Sequence, residues 1–172
     1  MTARVTPAAV VVGPPGAGKT TVGRAVSIML GLPFLDTDEM IEATAGKPIP
    51  DIFIDDGEPA FRAMEAAAVA SALGSSAGVV AVGGGAILDP GTRAALAGHT
   101  VVFLSVELPD AVKRVGLAMG RPMLSVNPRA TLKYLLDQRR PLYAAVATHT
   151  IATDGRSPEE IADEMAGLIK PA

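Results

Sequence analysis

The run Gly13-Pro14-Pro15-Gly16-Ala17-Gly18-Lys19-Thr20 matches the pattern G-x-x-x-x-G-K-[ST] at every fixed position. The chemistry such a run supports is phosphate binding. Its glycines let backbone N–H groups close around phosphate oxygens, and a helix starting at the loop adds partial positive charge. Lys19 is then placed to reach the β- and γ-phosphates of a nucleotide, and the Thr20 hydroxyl to ligate Mg²⁺. The competing reading is a glycine-rich β–α turn carrying a surface lysine.

Three more groups of residues could do chemistry. Asp36-Thr37-Asp38 carries two carboxylates at i and i+2. One could hold Mg²⁺ through water while the other faces an acceptor hydroxyl; equally, Asp38 could cap a short helix that begins at Glu39. Gly83-Gly84-Gly85 costs backbone entropy, so it marks either a ligand lying against the backbone or a tight strand-to-helix turn. Arg62, Arg121, Arg139, Arg140 and Arg156 fall near turns and element ends. Guanidinium groups facing a cleft imply an anionic acceptor, since they bind carboxylates bidentately. Facing solvent they are ordinary surface charges, and Arg139 and Arg140 could simply neutralise a helix C-terminus. His99 and His149 are not spaced as metal ligands.

The elements that must position these groups alternate between strand and helix, the pattern of an α/β fold with a mostly parallel sheet. Strands are predicted at Ala8–Val12, Phe34–Asp36, Val79–Val82, Val101–Val106 and Thr150–Thr153. The first strand and the helix after the glycine loop flank it as the phosphate-binding mechanism requires. That helix presents Val22, Ala25, Val26, Met29 and Leu30 on one face. A helix over Pro59–Leu73 turns Phe61, Met64 and Ala68 inward. Asp89-Pro90 and Asn127-Pro128 read as N-cap and first helical residue. Ser157-Pro158-Glu159-Glu160 is a capping box, opening a helix with Ile161, Met165, Leu168 and Ile169 on one face. Ala45–Gly57 and Gly116–Asn127 read as irregular, and long irregular segments in a compact domain are usually functional.

Composition bounds the function. A chain of 172 residues with 49% apolar residues forms one domain with an ample core. Aromatics at 3% leave that core to Val, Ile, Leu, Ala and Met. The net charge of −3 argues against nucleic-acid binding. With no cysteine there is no disulfide or thiolate chemistry, which fits a cytoplasmic protein. No secretory leader or membrane span is expected from the sequence.

Taken together the motifs resemble shikimate kinase in content, order and spacing. They are Gly13–Thr21, Asp36-Thr37-Asp38, Asp51-Ile52-Phe53, Gly57-Glu58-Pro59-Ala60-Phe61-Arg62 with Glu65, Gly83-Gly84-Gly85, Arg121-Pro122-Met123-Leu124 and Arg139-Arg140-Pro141-Leu142-Tyr143. The resemblance runs from about Val10 to about Pro158. It implies a P-loop NTPase fold of the nucleoside-monophosphate-kinase-like kind, a five-stranded mostly parallel sheet flanked by helices. Residues 1–172 would form a single domain, with an acceptor-binding segment at 37–65 and a lid at 114–127.

The resemblance also implies roles. Gly16, Ala17, Gly18, Lys19, Thr20 and Thr21 would hold the ATP phosphates, with Thr20 and Asp36 on Mg²⁺. Asp38 would face the shikimate hydroxyls as candidate base. Arg62 and Arg139 would clamp the shikimate carboxylate, with Gly83, Gly84 and Gly85 against the ring. Arg121 would close on the phosphates, completing a catalytic set with Asp38 and Lys19. Arg114, Arg156 and Pro158 would flank the adenine. A monomeric cytoplasmic enzyme that phosphorylates the shikimate 3-hydroxyl follows, with no nucleic-acid or membrane partner. Two rivals stand beside it: another small-molecule kinase, such as a gluconate kinase, and a nucleotide-binding regulatory module without activity.

Overall fold

The computed structural model describes residues 5–115 and 128–169. Its framework is a five-stranded sheet of order β2-β3-β1-β4-β5. The strands are β1 Ala9–Val12, β2 Phe34–Asp36, β3 Val79–Ala81, β4 Val101–Ser105 and β5 His149–Ala152. All four pairings are parallel. Each predicted strand is present, with ends shifted by a residue at most. The central strand β1 is buried along its whole length. That is why it reads as an unbroken apolar run rather than an alternating one.

Eight α-helices accompany the strands among the described residues, seven between strands and the last after β5: α1 Lys19–Leu30, α2 Thr37–Ala45, α3 Ile49–Asp55, α4 Glu58–Ser75, α5 Pro90–Leu96, α6 Leu108–Val115, α7 Pro128–Val146 and α8 Pro158–Leu168. Successive side chains of a strand point to opposite faces, so β1 serves two cores. Val11 joins Val22 and Val26 of α1, and Ile161 and Met165 of α8, on one face. Val10 and Val12 join Val69 and Ala72 of α4, Leu96 of α5 and Tyr143 of α7 on the other. Burying a Val or Leu side chain in such a layer is worth about 1.5–3 kcal/mol. A third, smaller cluster of Ile41, Ile52, Phe61 and Ala68 binds α2, α3 and α4 to one another.

Several expectations change. Ala45–Gly57 is not irregular: it holds the end of α2 and all of α3. Pro48 is the α3 N-cap and Pro50 lies in its first turn, where a missing N–H costs nothing. The α2 cap is Asp36, whose side chain accepts from the backbone N–H groups of Asp38 and Glu39. Asp38 is therefore inside the helix, not its cap. Pro141 does not end a helix; α7 runs through it to Val146. Leu142, Tyr143 and Val146 pack into the second core, and that burial outweighs the lost hydrogen bond. Met29 and Leu168 lie at the right helical phase yet stay exposed, whereas Gly23 and Ser27 complete the buried face of α1. Gly23 is needed there, since a Cβ would lie 2.6 Å from the Phe34 ring. The Asp89 and Ser157 caps form as expected. Residues 116–127, including Asn127, lie outside the described residues.

The chain leaves β1, β2 and β3 at their C-terminal ends into Gly13–Gly18, Asp36–Asp38 and Gly83–Gly85. In open parallel sheets ligands bind along this edge, where the strand order reverses. The parallel register sets Asp36 opposite Ala81, so the acidic and triple-glycine motifs emerge side by side.

Candidate active site

The phosphate loop is built from backbone conformations that need glycine. Gly16 and Gly18 sit at φ 83° and 88°, which side-chain-bearing residues rarely adopt. Gly18 is also the N-cap of α1, so the loop delivers the helix N-terminus, whose first N–H groups have no partner within the helix. Lys19 folds back across the loop, its Nζ donating to Gly13 O at 2.8 Å and Pro14 O at 3.1 Å. Thr20 donates from Oγ1 to Asp36 Oδ2 at 2.6 Å. The other Asp36 oxygen accepts from Asp38 N at 2.8 Å. One carboxylate thus joins the loop to the start of α2. Ala17 is buried in the loop and Thr21 is exposed on α1.

The opposite wall is organised by the three glycines, and each missing Cβ leaves room for a different neighbour. A Cβ on Gly83 would lie 2.7 Å from both Asp38 Oδ1 and Glu65 Oε2. On Gly85 it would lie 2.3–2.7 Å from the guanidinium of Arg62. On Gly84 it would lie 3.2 Å from Pro15 Cδ, against the phosphate loop. The triple glycine is therefore a floor on which Asp38, Glu65 and Arg62 converge beside Pro15. Thr37, fully buried, accepts from Gly83 N at 3.2 Å and pins that floor to α2.

Charge on this wall is arranged in pairs. Arg62 donates to Glu65 Oε1 at 2.7 Å and reaches Glu58 at 3.4 Å. Glu65 is buried, and desolvation raises its pKa above the ordinary 4.5, with Arg62 pulling the other way and Asp38 adding to the rise. Arg139 also acts on Glu65. It is buried in the middle of α7, not at a helix C-terminus, and its Nε has no hydrogen-bond partner. A buried guanidinium N–H without a partner is costly, and this one is left to bond a group outside the chain.

At the β5 end, Arg114 donates to Gly16 O at 3.0 Å and to Thr153 Oγ1 and O at 3.0 and 2.9 Å. Arg156 donates to Ala152 O at 3.1 Å and pairs with Glu164 at 2.9 Å. Pro158 opens α8 directly after it. Arg114 and Arg156 thus meet around Thr153, next to the phosphate loop. Arg121 lies outside the described residues.

A family model described as shikimate kinase matches residues 15–170. The chain belongs to the shikimate kinase family. The shikimate kinase of Salinispora arenicola is 68% identical over 163 residues, covering 95% of this chain and 98% of that one. That of Thermobifida fusca is 59% identical over 166 residues, 96% of each chain. Among solved structures, the shikimate kinase from Acinetobacter baumannii in complex with shikimate superposes with a TM-score of 0.91. Its identity is 39%, covering 96% of this chain and 93% of that one. Shikimate kinase from Aquifex aeolicus gives a TM-score of 0.80 at 28% identity, covering 91% and 92%. The family's activity is ATP-dependent phosphorylation of shikimate, and it sets the gluconate-kinase rival aside.

Four residues of the site carry no role in the sequence reading: Thr37, Glu65, Tyr143 and Thr153. Glu65 has a local signal, one turn beyond Arg62 at the (i, i+3) spacing that lets side chains meet. Thr37, Tyr143 and Thr153 act across tens of residues, and no local pattern marks them.

Proposed function

We propose that the two walls divide the reaction, the phosphate loop holding ATP and the arginine-lined floor holding shikimate with its 3-hydroxyl turned toward the loop. The observation that carries this reading is the convergence of Asp38, Glu65 and Arg62 on Gly83–Gly85 beside Pro15. Arg62 and Arg139 bind the acceptor carboxylate, and the unpartnered Nε of Arg139 supplies one donor. Asp38 accepts a hydrogen bond from the acceptor hydroxyl and takes its proton as transfer proceeds. Lys19 leaves its resting carbonyls to meet the phosphates, and Arg121 joins it from the lid at 114–127.

The Thr20–Asp36 pair suits a hard divalent cation, for it offers only oxygen donors. Among the described residues no group of three or more His, Cys, Asp or Glu could hold a metal, so further ligands would come from phosphate and water, as Mg²⁺ prefers. When bound, Mg²⁺ neutralises charge on the phosphates. Thr20 and Asp36 fix its position, and the chain's own task is orientation. Phosphoryl transfer has a loose transition state, so positioning and charge supply most of the acceleration. Closing residues 114–127 over the site excludes water as a competing acceptor.

Arg114, Arg156 and Pro158 line the base. We read residues 1–172 as one domain in which 37–65 forms the acceptor segment, acting as a cytoplasmic monomer without nucleic-acid or membrane partners. No helix among the described residues is long and apolar enough to cross a membrane.

Steady-state kinetics of two variants test the assignment. Asp38→Asn is expected to abolish transfer while ATP affinity stays nearly intact. Arg139→Ala is expected to raise the KM for shikimate far more than that for ATP. Loss of ATP binding in the first, or equal KM changes in the second, would move these residues to the nucleotide side.

A further inference from the structure

One buried hydroxyl touches both the acceptor clamp and the glycine floor. Tyr143 lies on α7 one turn after Arg139, is only 1% exposed, and stacks on Phe103 with ring centroids 5.1 Å apart. Its hydroxyl donates to the carbonyl oxygen of Gly84, the middle glycine. Burial pushes its pKa up to about 12, with the charge and hydrogen bonding of the neighbouring Arg139 pulling the other way. The hydroxyl therefore stays protonated and donates to Gly84, with the Arg139 guanidinium as its charged neighbour. Gly84 in turn presses on Pro15 of the phosphate loop.

We propose that Tyr143 is a positioning residue for the acceptor: through one hydroxyl it aims the Arg139 guanidinium at the substrate carboxylate and fixes the height of the Gly83–Gly85 floor. This rests on the reading of Arg139 as a carboxylate clamp. A core tyrosine that merely satisfied its hydroxyl could bond any nearby carbonyl. This one bonds the loop that holds Asp38, Glu65 and Arg62 in place. Without the hydroxyl the Gly84 carbonyl loses its donor and Arg139 a polar neighbour, yet the ring keeps its packing on Phe103. The consequence falls on acceptor binding, because the loop that Gly84 belongs to lies against Asp38, Glu65 and Arg62.

The test is steady-state kinetics of Tyr143→Phe, Arg139→Ala and the double variant, with thermal unfolding of each. KM does not depend on how much enzyme is folded, so a merely structural role lowers apparent kcat and the melting temperature and leaves KM alone. Leaving the Gly84 carbonyl without its donor predicts a shikimate KM about tenfold higher in Tyr143→Phe, with the KM for ATP unchanged. In the Arg139→Ala background the same substitution should add little, because the two act as one unit. An unchanged shikimate KM in Tyr143→Phe overturns the proposal. So does a full tenfold effect on top of Arg139→Ala, which would mean that Tyr143 acts independently of the clamp. If Arg139→Ala itself leaves the shikimate KM unchanged, the clamp reading fails and this proposal with it. A tenfold rise in Arg139→Ala with none in Tyr143→Phe removes the proposal alone.

Discussion

Alanine placed at each of the three glycines separates the two walls of the site by steric reach alone. None of the three occupies the positive-φ region, and Gly85 sits at φ −97°, so the backbone accepts alanine and only the new methyl acts. At Gly85 that methyl would lie 2.3, 2.6 and 2.7 Å from Arg62 Nη1, Nη2 and Cζ. Ordinary contact begins near 3.4 Å, so the guanidinium must retreat by roughly 1 Å. It cannot swing aside freely: Glu65 holds it at 2.7 Å, and freeing that buried carboxylate would leave its charge uncompensated. A displacement of about 1 Å in a positioning group costs about 100-fold, or about 2.7 kcal/mol. Gly85→Ala should therefore raise the shikimate KM about 100-fold and leave the ATP KM within about twofold. At Gly84 the methyl meets Pro15 at 3.2 Å, a contact relieved by a few tenths of an ångström. Gly84→Ala should change the shikimate KM less than about threefold, any effect falling on ATP instead. Initial rates of ADP release with each substrate varied in turn read both values. Equal shikimate KM values in Gly84→Ala and Gly85→Ala would refute the steric reasoning.

Two further outcomes follow from burial. Desolvation raises the Glu65 pKa above 4.5 despite Arg62. A carboxyl raised on folding contributes stability that is fully present below its unfolded pKa and lost as pH climbs through the folded one. Urea unfolding from pH 4 to 7 should show the native chain losing stability relative to Glu65→Gln; a difference constant with pH would refute this. At Gly78, far from the site, a Cβ would fall 1.9 Å from Pro33 O. Gly78→Ala should cost more than about 3 kcal/mol of stability in urea unfolding and leave both KM values unchanged, whereas a changed shikimate KM would refute its purely structural role.

What the sequence makes legible follows from the range of the signal. The phosphate loop, the strands and the Asp89 and Ser157 caps are local patterns, and each stands where it is expected. Segment 45–57 misled because Gly46, Pro48, Pro50 and Gly57 look like loop punctuation. In the fold they are helix ends: Gly46 closes α2, Pro48 and Pro50 open α3, and Gly57 caps α4. The sequence points to Asp38 as the possible cap, but the cap is Asp36, whose backbone is extended where Asp38 is helical. Met29 and Leu168 had the right phase, but phase does not say where a helix outruns the sheet it covers. The paired prolines gain a partial account as well, since Pro15 is the surface against which Gly84 rests. The role of Tyr143 became visible only through its contact with Gly84, which no window of sequence contains.

The most direct test of the two-walled site is the ratio of kcat/KM for shikimate to that for gluconate, measured with saturating Mg-ATP. Both acceptors carry a carboxylate and several hydroxyls, so the ratio reports the shape of the wall formed by Asp38, Arg62, Arg139 and Gly83–Gly85. The account predicts a ratio above about 100. A ratio near one would contradict it.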